Sequence, residues 1–185
     1  MRGLAGIAVA VSLGSVLAAA LAWFGLPQQA AATATVPVWA EMAWPFPIDP
    51  WGKGKAFRCK AADCGTEVNL YLRAKIGFCN CTTGVADDED LDRMGGLVLV
   101  GEASPLGNGQ PISIAWMKGR SRAYTLNASN PPGKTAISVV FNERCDMIAA
   151  TAVLGHERPA AFEPTVIAFL NGNTVMRWAE ITLGL

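Results

Sequence analysis

Residues 136–153 read AISVVFNERCDMIAATAV. Ala136 to Phe141 is a strand candidate that ends at the polar Asn142-Glu143-Arg144, and Cys145 to Val153 follows as the next. Two β-rich runs around a short polar break are the pattern of adjacent antiparallel strands. Earlier segments support the same reading. Val68, Leu70 and Leu72 alternate with Asn69, Tyr71 and Arg73, and Ile112, Ile114 and Trp116 alternate with Ser113, Ala115 and Met117. A turn around Lys118-Gly119-Arg120 leads to another run near Ala123 to Leu126, and the loop 127–134, with Asn130-Pro131-Pro132-Gly133, is a breaker. Period-two runs joined by short polar turns define an antiparallel meander.

The period changes near the C-terminus. Pro164 suits the first turn of a helix and Asn171-Gly172 its stop. Asn173 or Thr174 can cap a second helix with Val175, Trp178, Ala179 and Thr182 on one face, a strand at 174–178 being the competitor. Strands followed by short helices give an α+β class: a mainly antiparallel sheet with short C-terminal helices, preceded by an extended Trp/Pro-rich arm and an N-terminal apolar helix.

The chain has 185 residues and zero formal net charge, which argues against a generic nucleic-acid binder. Hydrophobic residues make up 51% and charged residues 16%, a balance that excludes disorder over most of the chain. A single histidine excludes a His-rich metal enzyme.

Gly3 to Leu26 carries no charge and follows Arg2, as in a segment inserted with its N-terminus in the cytoplasm. Such a run spans roughly 36 Å as a helix, enough to cross a bilayer core. Ala32-Thr33-Ala34 reads as an A-x-A cleavage site. Residues 1–34 are therefore expected to be a signal peptide or a membrane anchor, and either one exports the remainder. The expected location is periplasmic or secreted, with anchoring to the inner membrane through residues 3–26 if the segment is retained. That segment is the only expected membrane contact.

Residues 35–52 hold Trp39, Trp44 and Trp51 among Pro37, Pro45, Pro47 and Pro50, so they read as an extended arm. Its tryptophans pack over the body of the same chain, or meet a membrane interface or a partner. Residues 53–75 carry Lys53, Lys55, Arg58, Lys60, Arg73 and Lys75 against Asp63 and Glu67, a local balance of six minus two, or +4. A solvated face explains this cluster. The alternative is an electropositive patch for an anionic ligand or lipid headgroup, and Trp39, Trp44, Trp51, Lys53, Lys55, Arg58 and Lys60 are the candidate contact surface. The acidic run Asp87 to Asp92 fails as a calcium loop, because Arg93 and Leu99 stand where Gly and Glu are required. Asp87 instead reads as a helix cap, with Leu91 and Met94 facing inward.

The cysteines are the main chemical constellation. Cys59, Cys64, Cys79 and Cys81 lie close together, and Cys145 stands apart as a possible odd thiol. In an oxidising compartment such a cluster forms disulfides. The expected arrangement is two bridges joining the Cys59/Cys64 side to the Cys79/Cys81 side, within one disulfide-stabilised α+β domain over 53–185. Cys145 is a buried thiol, an intermolecular partner, or the mate of a clustered cysteine. As an alternative, four thiolates can hold zinc or copper, although C-x-C is tighter than usual zinc spacing. A redox role is weaker, since no C-x-x-C occurs. His156 in Gly155-His156-Glu157-Arg158-Pro159 reads as a surface residue.

No catalytic residue emerges. There is no G-x-S-x-G or G-x-G-x-x-G, and Gly133-Lys134-Thr135 lacks the first glycine of a phosphate loop. Nothing in the spacing selects Asp87/Asp88 or Glu143/Asp146 as an acid–base pair. The reading that follows is an exported, non-catalytic accessory or binding domain of the cell envelope, stapled by disulfides. It takes no cofactor, and its partner is an unidentified envelope protein. The alternative is a zinc, copper or thiol-redox protein built on the same cysteines.

Overall fold

The structure is a computed structural model and describes residues 36–77, 80–127, 132–155 and 157–185. The chain divides into two units, 1–34 and 35–185, and the fold below is that of the second. The expected leader, Cys79 and His156 lie outside the described residues.

Eight strands form one antiparallel sheet. They are β1 (Trp39–Met42), β2 (Lys55–Cys59), β3 (Val68–Lys75), β4 (Ala103–Pro105), β5 (Gln110–Ile114), β6 (Met117–Leu126), β7 (Thr135–Glu143) and β8 (Asp146–Leu154). The order is β1-β2-β3-β8-β7-β6, with β5 and then β4 lying one after the other along the outer edge of β6. The helices are α1 (Ala61–Cys64), α2 (Asp88–Met94), α3 (Pro159–Leu170) and α4 (Asn173–Leu183), with a 3-10 turn at Leu97–Leu99. The architecture is thus mostly antiparallel sheet, with short helices near the C-terminus. Among the described residues no helix is long and apolar enough to cross a membrane.

The β7–β8 hairpin is the centre of the sheet, with Glu143 paired to Asp146 at its tip and Thr135 to Leu154 at its base. Alternation along each strand divides the side chains between two faces. The first face carries Phe57, Leu70, Leu72, Ile137, Val139, Phe141, Ile148, Ala150 and Ala152, buried against Phe162, Val166 and Leu170 of α3 and Val175, Ala179 and Leu183 of α4. The second face is also covered. Over β6, β7 and β8, Leu91 and Met94 of α2 pack with Val85 on Val140, Met147 and Ala149. Over β3 lies the Trp/Pro arm. Covering on both sides explains why the 136–141 run is apolar at both alternating sets of positions except Ser138.

Several local expectations are corrected. The β5–β6 turn falls at Ala115-Trp116, between Ile114 and Met117, and not at Lys118-Gly119-Arg120, which lies inside β6. Met117 is therefore buried and Trp116 exposed, the reverse of the expected alternation. Gly119 serves close packing: a Cβ there would collide with the Val140 carbonyl on β7. Pro159, not Pro164, opens α3. Pro164 sits inside the helix, where it forfeits the bond to the Ala160 carbonyl while the neighbouring Phe162 and Val166 hold the helix on the sheet. The N-cap of α4 is Gly172, and its inward face uses Met176 and Leu183 in place of Thr182, which is exposed. The strand alternative at 174–178 is thereby excluded. Asp87 does cap α2, its Oδ1 accepting from the Asp90 N–H at 2.9 Å.

Candidate functional site

Disulfides join Cys59 to Cys64 and Cys81 to Cys145. The expected crosswise pairing of the cluster is overturned. Cys59 ends β2 and Cys64 ends the single turn of α1, so the first bridge closes a local corner. Cys145 is not an odd thiol. It sits at the tip of the β7–β8 hairpin, and its bridge brings the 80–84 turn to that tip. Two further bonds hold the same segment: the Gly77 N–H donates to Asp146 Oδ1 at 2.6 Å, and the Val85 N–H donates to Asn142 Oδ1 at 3.2 Å. Among the described residues no three His, Cys, Asp or Glu side chains come together as a metal site. Two disulfides point to an oxidising, non-cytoplasmic location.

The arm brings its aromatic residues onto the second face of β3. Trp44, Phe46 and Tyr71 form an edge-to-face cluster, with centroids 4.8 Å apart for Phe46–Tyr71 and 5.2 Å for Trp44–Phe46. Next along the same face of β3 come Arg73 and Lys75, both buried. The Arg73 guanidinium lies 5.3 Å from the Trp44 ring centroid, and the Lys75 ammonium 5.7 Å from that of Trp51. Asp49 closes the arrangement. Its Oδ2 accepts from Arg73 Nη1 at 2.5 Å, while its Oδ1 accepts from the Trp51 N–H in the tight turn Asp49–Gly52. Lys75 Nζ donates to the Met94 carbonyl at 2.8 Å. Burial pulls the Lys75 pKa down, and the nearby Arg73 charge adds to the shift while Asp49 opposes it. Burial likewise raises the Tyr71 pKa, with a smaller push from Glu67.

At the other side of the same face, the acidic helix α2 lies on basic positions of β6. Asp88 accepts from Arg120 at 2.6 Å and from the Gly109 N–H at 2.8 Å. The Gly109 bond first, then Arg120, holds the Asp88 carboxyl below its usual pKa. Asp92 accepts from Arg122 and from the Tyr124 hydroxyl, whose pKa is raised by burial and then by that bond. Asp88 and Asp92 thus hold the helix to the sheet, while Asp90 pairs with Arg93 within the helix. Asp146 is likewise bonded to Gly77, and Asp87 to its own helix.

Of the residues of the expected contact surface, Trp44, Lys53 and Lys55 line one groove and the others lie apart. Trp39 stacks on Phe169 of α3 at 4.6 Å. Trp44 and Trp51 cover Arg73 and Lys75. Lys55 pairs with Glu41 on β1, and Arg58 with Glu67 at 2.5 Å. Lys60 is exposed beside α1. Lys53 and Lys55 line a groove of ≈ 530 Å³ with Glu41, Trp44 and Trp178. A second groove, ≈ 250 Å³, shares Glu41, Lys55 and Trp178 with it. The trio Asp49, Arg73 and Lys75 was not singled out by the sequence reading. The signal was two cations at i and i+2 of an amphipathic strand, together with one carboxylate in an aromatic arm.

Comparison with family models, with curated proteins and with solved structures finds no match.

Proposed function

We propose that the chain is an exported, non-catalytic binding domain of the cell envelope, stapled by its two disulfides. The observation that carries this reading is the Cys81–Cys145 bridge, which ties a loop to the central hairpin across 64 residues. A staple of that kind persists where thiols are kept oxidised, and the uncharged segment 3–26 supplies the route there. Support for a binding role comes from the engagement of Asp49, Asp88, Asp92 and Asp146 in structural bonds, together with the basic, Trp-walled groove along Lys53, Lys55 and Trp178.

The test is the intact mass of the exported protein, isolated without reductant, with and without alkylation of thiols after denaturation. One reactive thiol or none, with four more exposed by reduction, supports the reading, and the same mass states whether residues 1–34 were removed. Four or five reactive thiols without reductant would overturn it and favour the zinc, copper or thiol-redox alternative.

A further inference from the structure

Arg73 is a buried cation whose hydrogen bonding is incomplete. Its side chain is 4% exposed, and only Nη1 meets an acceptor, the Asp49 carboxylate. Nε and Nη2 are buried with no protein partner. These two N–H groups form one edge of the guanidinium, the side-on fork that receives two oxygens of a carboxylate or phosphate at once. The Trp44 indole N–H, on the ring that covers this guanidinium, is also buried without a partner. Every unmet polar group at this place is therefore a donor.

The local charge has the same sense. Arg73 and Lys75 supply two positive charges beneath the arm, and Asp49 supplies one negative. Four other carboxylates near this face are engaged: Glu67 with Arg58, Asp88 and Asp92 with β6, and Asp146 with Gly77. Leaving donors of a charged group unmet in the interior costs several times the net worth of an ordinary hydrogen bond. An acceptor supplied from outside the chain removes that cost, and a monoanion balances the remaining charge. The Asp49 side chain on the far nitrogen of the same guanidinium is 37% exposed, so the arm covers this ion pair incompletely.

From this we infer that the Nε–Nη2 edge of Arg73 is a binding site for the carboxylate of a small monoanion, held between β3 and the Trp/Pro arm. The inference gives the proposed binding domain a ligand class and rests on that reading for its purpose. Its test is independent of the thiol measurement, because anion binding does not report compartment or disulfide state.

The experiment titrates the purified, oxidised protein with acetate, and separately with inorganic phosphate, at constant ionic strength. Isothermal calorimetry and the thermal midpoint are followed. Acetate is expected to bind at one site and raise the midpoint. Arg73→Lys keeps the charge but loses the fork, and is expected to weaken acetate about tenfold or more. Asp49→Asn removes the competing carboxylate while keeping a turn acceptor, and is expected to tighten acetate, the opposite direction. Absence of any acetate response in the unaltered protein overturns the inference without reference to a variant. Equal responses in the unaltered protein and a folded Arg73→Lys also overturn it. Preferential binding of phosphate overturns the carboxylate assignment.

Discussion

The two disulfides should differ in their contribution to stability, because they close loops of very different length. The Cys59–Cys64 bridge spans a sequence separation of 5, and the Cys81–Cys145 bridge one of 64. In the chain-entropy model the first restrains the unfolded chain by about 2 kcal/mol and the second by about 4 kcal/mol. The perturbation for the short bridge is Cys64→Ala, which leaves Cys59 as a small buried thiol in the core. For the long bridge it is the pair Cys81→Ala and Cys145→Ala, which leaves no partner for exchange at either end. Urea unfolding of each variant, read by circular dichroism, gives the change in free energy and in the denaturant slope. The long-bridge variant should lose about twice as much stability as the short-bridge variant. It should also show the steeper slope, since an unbridged denatured chain is more expanded and exposes more surface. An equal or larger loss from Cys64→Ala would refute the loop-length reasoning and assign the stabilisation to local packing at the β2–α1 corner.

Three further outcomes are expected. Thr151 has a buried hydroxyl with no partner, so Thr151→Val, which keeps the shape, should be neutral or stabilising by about 1 kcal/mol in the same urea assay. A Cβ on Gly96 would lie 2.6 Å from Thr151 Oγ1, so Gly96→Ala should cost about 1–3 kcal/mol, and Thr151→Ala should recover part of that loss in the double variant. Asp88 has a lowered pKa in the folded state, so its contribution is complete above the ordinary value of 3.8 and is lost as pH falls through the lowered one. The pH dependence of the thermal midpoint should therefore be shallower in Asp88→Asn below that value, with a loss of about 1–2 kcal/mol at neutral pH.

The sheet was legible because its strands carry a period-two pattern on at least one face, and Val68, Leu70 and Leu72 do point into the first core. What alternation could not show is that the opposite face is covered as well. Tyr71, Arg73 and Lys75 read as a solvated edge, and the long-range return of the arm, with the end of α2 at Lys75, covers them. The β5–β6 turn was missed for a chemical reason. Ala115-Trp116 contains none of the residues that favour positive φ, yet Ala115 adopts φ of 50°. Gly119 supplied a false turn signal because a glycine needed for close strand approach resembles one needed for a turn. The cysteine pairing was out of reach for a related reason. Cys145 is remote from Cys81 in sequence and meets it where Gly77 is bonded to Asp146 and Val85 to Asn142 near the hairpin tip.

The two faces of the sheet are finished to different standards. Two helices of eleven and twelve residues cover the first face with apolar side chains. The second is covered by a seven-residue helix, a 3-10 turn and a proline-rich arm, elements that fit a pleated surface less regularly. Every buried side-chain polar atom without a partner among the described residues belongs to this second side: Trp44 Nε1, Arg73 Nε and Nη2, Ser138 Oγ and Thr151 Oγ1. Ser138 and Thr151 face each other across β7 and β8, and Gly95 and Gly96 lie directly over them. A sheet selected for stability alone would carry apolar residues at these positions, since each unmet group subtracts from a small net stability. Retaining them costs stability on one face and leaves the other untouched. Of these atoms, those of Ser138 and Thr151 lie beneath Gly95 and Gly96, and those of Arg73 and Trp44 lie beneath the arm, where the Arg73 fork is the one charged donor among them.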